Sequence, residues 1–250
     1  MSRLMEQLKR SLAIAEKNMR IYYLKGPVII FGLLFPLFLT LAFIIGRNIS
    51  LRELLPGLIG MTAFFTATAV GPSIVPWETR SRTLERLLCC PVTLWAVVLG
   101  DLLSSFFFGT IISIIPLLLT LSLDIGTLDF TILLLGLIIA NLCFSALSVL
   151  LSAYPPTDVP ATSMMVSSLV KFPLVFISGV FIPLEYLPQL GIAIASLSPL
   201  TYLVDLARHS ILKNGFYPLT LDFVAIITFT VLFTSTAVKL HEKGLVKRLS

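Results

Sequence analysis

Charge is what this chain has least of. Acidic and basic side chains make up 12% of its 250 residues, about half the roughly 25% of a soluble domain. With 57% hydrophobic residues and a mean hydropathy of +1.00, that scarcity excludes an ordinary soluble protein, whatever the length suggests. Cysteine is nearly missing. Cys89 and Cys90 are adjacent and Cys143 lies in an apolar run, so there is no framework of paired bridges, no metal spacing and no redox pair. Cys143 reads as a small buried apolar side chain. The two histidines, His209 and His241, are far apart and are read as lacking carboxylate or cysteine companions, so no metal site or general base is expected. With no histidine inside an apolar stretch to activate a serine, intramembrane hydrolysis is not expected either. No Gly-x-x-x-x-Gly-Lys-Ser/Thr run occurs, so the chain cannot itself cradle a triphosphate. The net charge of +5 does not point to nucleic acid, because the basic residues cluster at the ends of apolar stretches.

Long apolar stretches are abundant instead. A hydrocarbon core of about 30 Å needs roughly 20 apolar helical residues. Six stretches meet that need: Pro27 to Gly46, Leu54 to Pro76, Leu94 to Leu123, Phe130 to Ala153, Thr162 to Leu184 and Leu219 to Leu240. Their lengths are wrong for barrel strands, so the expected fold class is an all-α polytopic membrane protein. Pro36, Pro72, Pro116 and Pro173 fall within spans and predict kinks. Lys and Arg set the orientation. The N-terminal segment (Arg3, Lys9, Arg10, Lys17, Arg20, Lys25), the connection between spans two and three (Arg80, Arg82, Arg86) and the C-terminal tail (Lys239, Lys243, Lys247, Arg248) carry thirteen, against four (Arg47, Arg52, Arg208, Lys213) on the other side. Both termini are therefore expected in the cytoplasm. Every Tyr and Trp lies at or beyond a span end, where aromatic belts sit.

Residues 1–25 are charged throughout and precede an apolar run too long for a signal peptide. Met5, Leu8, Leu12, Ala15, Met19 and Tyr22 form a stripe at helical spacing, which predicts an interfacial amphipathic helix. Residues 26–240 then form the transmembrane domain and 241–250 a cytoplasmic tail. The charged island at 77–93 interrupts this pattern. Leu84, Leu87 and Leu88 fall at i, i+3 and i+4, with Arg82, Glu85 and Arg86 opposite, so a short amphipathic helix is expected, stopped by Pro91. Residues 185–218 read as an external loop. Within it Gln189 to Ser198, bounded by Pro188 and Pro199, reaches only about 15 Å as helix, half a bilayer. Two readings are open for it: a re-entrant cap, or a surface loop on the headgroups.

Two motifs then give the chain a resemblance. One is Ser178-Gly179-Val180-Phe181-Ile182-Pro183-Leu184-Glu185-Tyr186-Leu187-Pro188, followed by Ser198-Pro199-Leu200-Thr201-Tyr202 and Asp205-Leu206-Ala207-Arg208. The other is the island, with Thr83-Leu84-Glu85, Leu87-Leu88 and Pro91-Val92. Together they resemble the membrane subunit of an ABC type-2 exporter, the class that includes drug, polysaccharide and lipid permeases. Arg82 stands where that family often has Gly, and Asp101 where Lys or Arg is common. The resemblance implies a coupling helix in the island, with Glu78, Arg80, Arg82, Thr83, Leu84, Glu85, Arg86, Leu87 and Leu88 meeting a separate ABC ATP-binding subunit. It implies an external re-entrant motif built on Gly179, Pro183, Pro188, Pro199, Tyr202 and Arg208. It also implies a second permease copy or paralogue, and no cofactor in this chain, with ATP-Mg on the partner.

Ionisable residues inside spans are functional candidates, and Asp101 and Lys171 are the two. Either they face the protein interior and pair, or share one vestibule, or Lys171 snorkels to the headgroups with Asp101 at the interface. Ser104, Ser105, Ser167, Ser168 and Asn141 read as helix-packing residues. Beside an ATP-driven permease, two other functions fit the same residues: a secondary transporter or channel working alone, or a membrane scaffold for a biosynthetic complex.

Overall fold

An apolar run in lipid has only its own backbone to satisfy its N–H and C=O groups, so each long run closes into a helix. The computed structural model describes residues 2–45, 50–122 and 128–249, and is all-helical among them. Gly46, Arg47 and Leu123 lie outside the described residues, as do the side chains of Arg3, Lys247 and Arg248. Helix α1 (Ser2–Asn18) passes through a π-turn (Met19–Tyr23) towards α2 (Gly26–Ile44). Next come α3 (Leu51–Ala67), α4 (Gly71–Arg80) and α5 (Thr83–Cys89), then α6 (Leu94–Ser122), α7 (Phe130–Ala153) and α8 (Pro160–Ile177). A 3₁₀ turn (Leu184–Tyr186) leads to α9 (Gln189–Ala195), α10 (Pro199–Leu212) and α11 (Leu219–Leu249). Among the described residues, α2, the α3–α4 pair, α6, α7, α8 and α11 are the six segments long and apolar enough to cross a membrane.

Four details differ from the sequence reading. The second span is interrupted at residues 68–70. The fifth ends at Ile177, not Leu184, because Gly179 adopts a left-handed φ of +71°, a conformation that costs glycine little and ends a helix. The segment 185–218 is not merely a loop. Its first helix stops at Ala195, and α10, turned 103° from it, is a mostly buried helix within the bundle. Finally, α11 continues past Leu240 to Leu249.

Helices α3, α7 and α10 fill the centre, where Phe64, Phe144, Leu137, Leu203 and Leu206 are all buried. The outer helices α2, α8 and α11 leave Phe31, Phe38, Leu169, Phe176, Val224 and Val231 exposed, as lipid-facing side chains must be. A helix as apolar all round as α2 belongs in lipid or a core.

Candidate functional site

The charged island forms an elbow at the end of the bundle that carries α1. Chain direction reverses at Ser81 and Arg82, and Arg82 takes φ 54°, ψ 21° to start α5. A side chain in that left-handed region costs about 1–2 kcal/mol, which is why glycine suits the position. Arg80, Arg82, Thr83, Glu85 and Arg86 are exposed, and Leu87 and Leu88 half-buried. Two expected docking residues turn inward. Leu84 is 2% exposed, because α5 folds back against α4, and Glu78 is 2% exposed. Neither is free to meet a partner. The exposed face of the elbow is its charged face, not its leucines. Across from it the 154–159 connection closes a polar cavity of about 470 Å³, lined by Thr79, Arg80, Arg82, Glu85, Pro156, Thr157 and Asp158.

Helix α1 grips this island at both ends. Before the elbow, the Lys17 ammonium donates to the Glu78 carboxylate. After it, Arg10 donates to the Pro91 carbonyl, and Gln7 Oε1 accepts from the Thr93 N–H at 3.1 Å. The junction with α2 is tied to α6. Asn18 Nδ2 donates to Asp101 at 2.6 Å, and the Tyr23 hydroxyl meets Ser105 Oγ at 2.6 Å. Burial above all, with the Asp101 charge adding, holds the Tyr23 phenol far above its ordinary pKa. Tyr22 is raised in the same way, burial first and then Glu78 and Asp101, so both remain neutral hydroxyls. Sequence reasoning missed Gln7, Arg10 and Lys17 as partners of the island, and Asn18 as the partner of Asp101, since they lie 61 residues or more away along the chain.

Asp101 and Lys171 do not pair with each other, and both are buried inside the protein, at 3% and 6% exposed. Asp101 keeps Asn18. Lys171 Nζ donates to the Thr68 carbonyl at 3.1 Å, in the interruption between α3 and α4. Pro72, four residues on, has no N–H to serve that carbonyl, and the lysine takes its place. Ser104 and Ser105 bond the Asp101 carbonyl, and Ser168 that of Met164, as helix-packing serines do.

At the opposite end, the motif that runs from Ser178 to Arg208 builds a corner. Pro188 precedes α9 and Pro199 opens α10, where a missing N–H costs nothing. A 103° bend strands the last carbonyls of α9. Thr201 Oγ1 donates to Ala195 O at 2.6 Å, and the Tyr202 hydroxyl to Ser196 O at 3.0 Å. Ser198 Oγ bonds the Leu174 carbonyl of α8 at 3.1 Å. Arg208 Nη2 reaches back to the Gly179 carbonyl at 3.1 Å, beside a cavity of about 410 Å³ whose walls include Glu53, Phe181, Pro183, Glu185 and Tyr186.

The expectation that His209 stands alone is overturned here. Asp205 precedes it by one helical turn, and the reversal at 213–218 brings Asp222 of α11 beside both. One donor atom from each of the three lies within 4.8 Å of the others. Asp205 accepts the N–H groups of Phe216 at 2.9 Å and Tyr217 at 2.8 Å, and His209 Nε2 lies 2.7 Å from the Tyr217 carbonyl.

Comparison with known proteins covers the same ground. A family model described as ABC-2 type transporter matches residues 10–212, which span the island, the corner motif and α10. The chain is 26% identical over 229 residues to the inner membrane transport permease YadH of Escherichia coli K12, covering 87% of this chain and 86% of that protein. It is 29% identical over 226 residues to nodulation protein J of Bradyrhizobium diazoefficiens, covering 87% of this chain and 83% of that one. With the family match extending over most of the bundle, this multi-pass cell-membrane protein is a transporter membrane subunit and belongs to the ABC-2 type transporter family.

Proposed function

We propose that the chain is the permease subunit of an ATP-driven exporter, working as a dimer with a separate ATP-binding subunit that carries ATP-Mg. The observation that carries this reading is the elbow. A short helix with an exposed charged face is held on the second span and clamped at both ends by α1, so force applied to it would reach two elements at once. The chain has no phosphate-binding loop of its own, so hydrolysis must come from a partner. Arg80, Arg82, Glu85 and Arg86 would meet that partner, with the polar cavity towards Asp158 receiving a side chain from it. The centre of one copy is filled by Phe64, Phe144 and Leu203, which favours a pathway between two copies, either identical or paralogous, that rock between two arrangements. In this reading both termini and the elbow are cytoplasmic, and α9 with its corner is a re-entrant cap at the outer end.

The test is co-purification with the ATP-binding subunit and ATP-dependent uptake into inverted vesicles. Glu85→Arg and Arg82→Glu should each release the partner and stop uptake while the permease stays folded. Uptake that continues without ATP would support a secondary transporter or channel. A partner retained without any transport would support a scaffold. Orientation has its own probe, since Cys89 and Cys90 are exposed. An impermeant maleimide should label them in inverted vesicles and not in intact cells.

A further inference from the structure

The triad at the outer corner has no part in coupling, yet it gathers two carboxylates and an imidazole in a nearly closed space. Asp205 is 2% exposed and Asp222 0%. Neither Asp222 oxygen has a hydrogen-bond partner among the described residues. Such a group is not left bare: a buried charge is paired or coordinates a metal. Arg208 acts on Asp205 but spends a guanidinium donor on the Gly179 carbonyl. The missing positive charge is therefore either a proton on the triad, held by a carboxyl or by the imidazole, or a bound cation.

The donor set decides between them. Asp205 and His209 stand at i and i+4 on α10, so their side chains share one face. Asp222 reaches the same point from α11, and the Tyr217 carbonyl lies 2.7 Å from His209 Nε2. Ligands bound at 2.0–2.2 Å to one tetrahedral ion sit roughly 3–3.5 Å apart. The separation of 4.0 Å between His209 Nε2 and Asp205 Oδ2 needs to close by under about 1 Å to match that. One imidazole nitrogen with two carboxylates suits zinc and its neighbours in the first transition row better than calcium or magnesium, which prefer oxygen alone. Backbone geometry also favours a fixed imidazole. A Cβ on Gly215 would fall 1.9 Å from Nε2, so the ring packs directly on the chain at that residue.

We propose that Asp205, His209 and Asp222 form a divalent transition-metal site, preferring zinc, which fastens the 213–218 reversal and the start of α11 to α10, with the Tyr217 carbonyl as a fourth donor. Without the ion, His209 Nε2–H donates to that carbonyl. On binding, the ring takes its Nδ1–H tautomer, one proton leaving Nε2 for solvent as another arrives at Nδ1, and Nε2 gives its lone pair to the metal. The site is independent of whether the elbow couples to an ATPase.

The full chain, purified with a histidine-free tag and stripped with chelator, is titrated with Zn²⁺, and with Co²⁺ as a spectroscopic substitute. The expected result is one ion per chain and the visible Co²⁺ absorption of a low-coordinate site. Asp222→Asn and His209→Gln, which keep side-chain size, should each weaken binding by about 100-fold or more. His209→Cys should keep the ion and add a thiolate-to-cobalt band in the near ultraviolet, a gain of signal that a misfolded variant would not give. Failure of the wild-type chain to take up a stoichiometric ion would overturn the proposal. So would unchanged affinity in both size-preserving variants, or a His209→Cys protein that stays folded and binds cobalt with no thiolate band. Asp222→Asn raising thermal stability in a wild-type background that binds no metal would instead identify a proton held by a carboxyl.

Discussion

The ion pair between Lys17 and Glu78 offers the sharpest test of how the elbow is held. Opposite unit charges in contact attract by roughly 4 kcal/mol at an effective dielectric of about 20. The Lys17 side chain is 34% exposed and that of Glu78 only 2%, so water on the lysine side reduces the attraction to about 2 kcal/mol. Lys17→Met removes this and also leaves a buried carboxylate whose Oε2 already has no partner; the expected cost is about 3 kcal/mol. Glu78→Gln keeps the shape, loses the charge, and should cost about 2 kcal/mol. If the two act on one interaction, the double variant costs about 3 kcal/mol, not their sum, which is a coupling of about 2 kcal/mol. Thermal unfolding of the chain in lipid nanodiscs reads the cycle, with the Lys17→Met midpoint lower by roughly 6–12 °C. Tryptic nicking after Lys9 and Arg10 reports whether α1 has come loose. Additivity of the two single variants within about 0.5 kcal/mol would refute the argument, because Lys17 and Glu78 would then be neighbours without being partners.

Other perturbations follow from the same hydrogen-bond and backbone logic. Lys171→Met strands the Thr68 carbonyl and should lower stability by about 2 kcal/mol in thermal unfolding, whereas Lys171→Arg, which keeps a donor, should lose less than half of that. Arg82→Gly should be at least as stable as the native chain, while Arg82→Val should lose about 1–2 kcal/mol; equal midpoints for the two would mean that the turn is not left-handed. Asp205→Asn turns an amide N–H₂ towards the Phe216 and Tyr217 N–H groups, and should open the reversal by about 2 kcal/mol. Hydrogen exchange at those two amides, roughly 30-fold faster, checks it.

The spans were legible because lipid imposes one rule on every residue within it, and a run such as Val28 to Ile44 obeys that rule, its one polar side chain, Thr40, bonding the Pro36 carbonyl. Legibility failed where one residue overrides its neighbours. Val180, Phe181 and Ile182 continue the apolar pattern of α8, yet the left-handed backbone of Gly179 has already ended the helix. Helix α10 was lost in a loop because Asp205, Arg208 and His209 dilute its hydropathy, although their neighbours Leu203, Leu206 and Ala207 are wholly buried. In the island, the short helix and its charged face were readable from spacing. That Glu78 points inward was not, since its partner is 61 residues upstream. The triad was half readable: Asp205 and His209 at i and i+4 are a ligand spacing on any helix, but only the reversal at 213–218 supplies Asp222.

The interruption at residues 68–70 carries a mechanical consequence. A rod with a notch bends at the notch before it pushes, and the second span is such a rod, with the elbow at one end and the bundle's centre at the other. Lys171 works as a pin through that notch, set from a neighbouring span and holding by a single contact to the Thr68 carbonyl. If a partner pushes on the elbow, as proposed above, the push must cross this break, and the Lys171 contact lies at the crossing. Loosening it would lower the share of the displacement that passes from α4 to α3. The lysine thus stiffens the span where it is weakest.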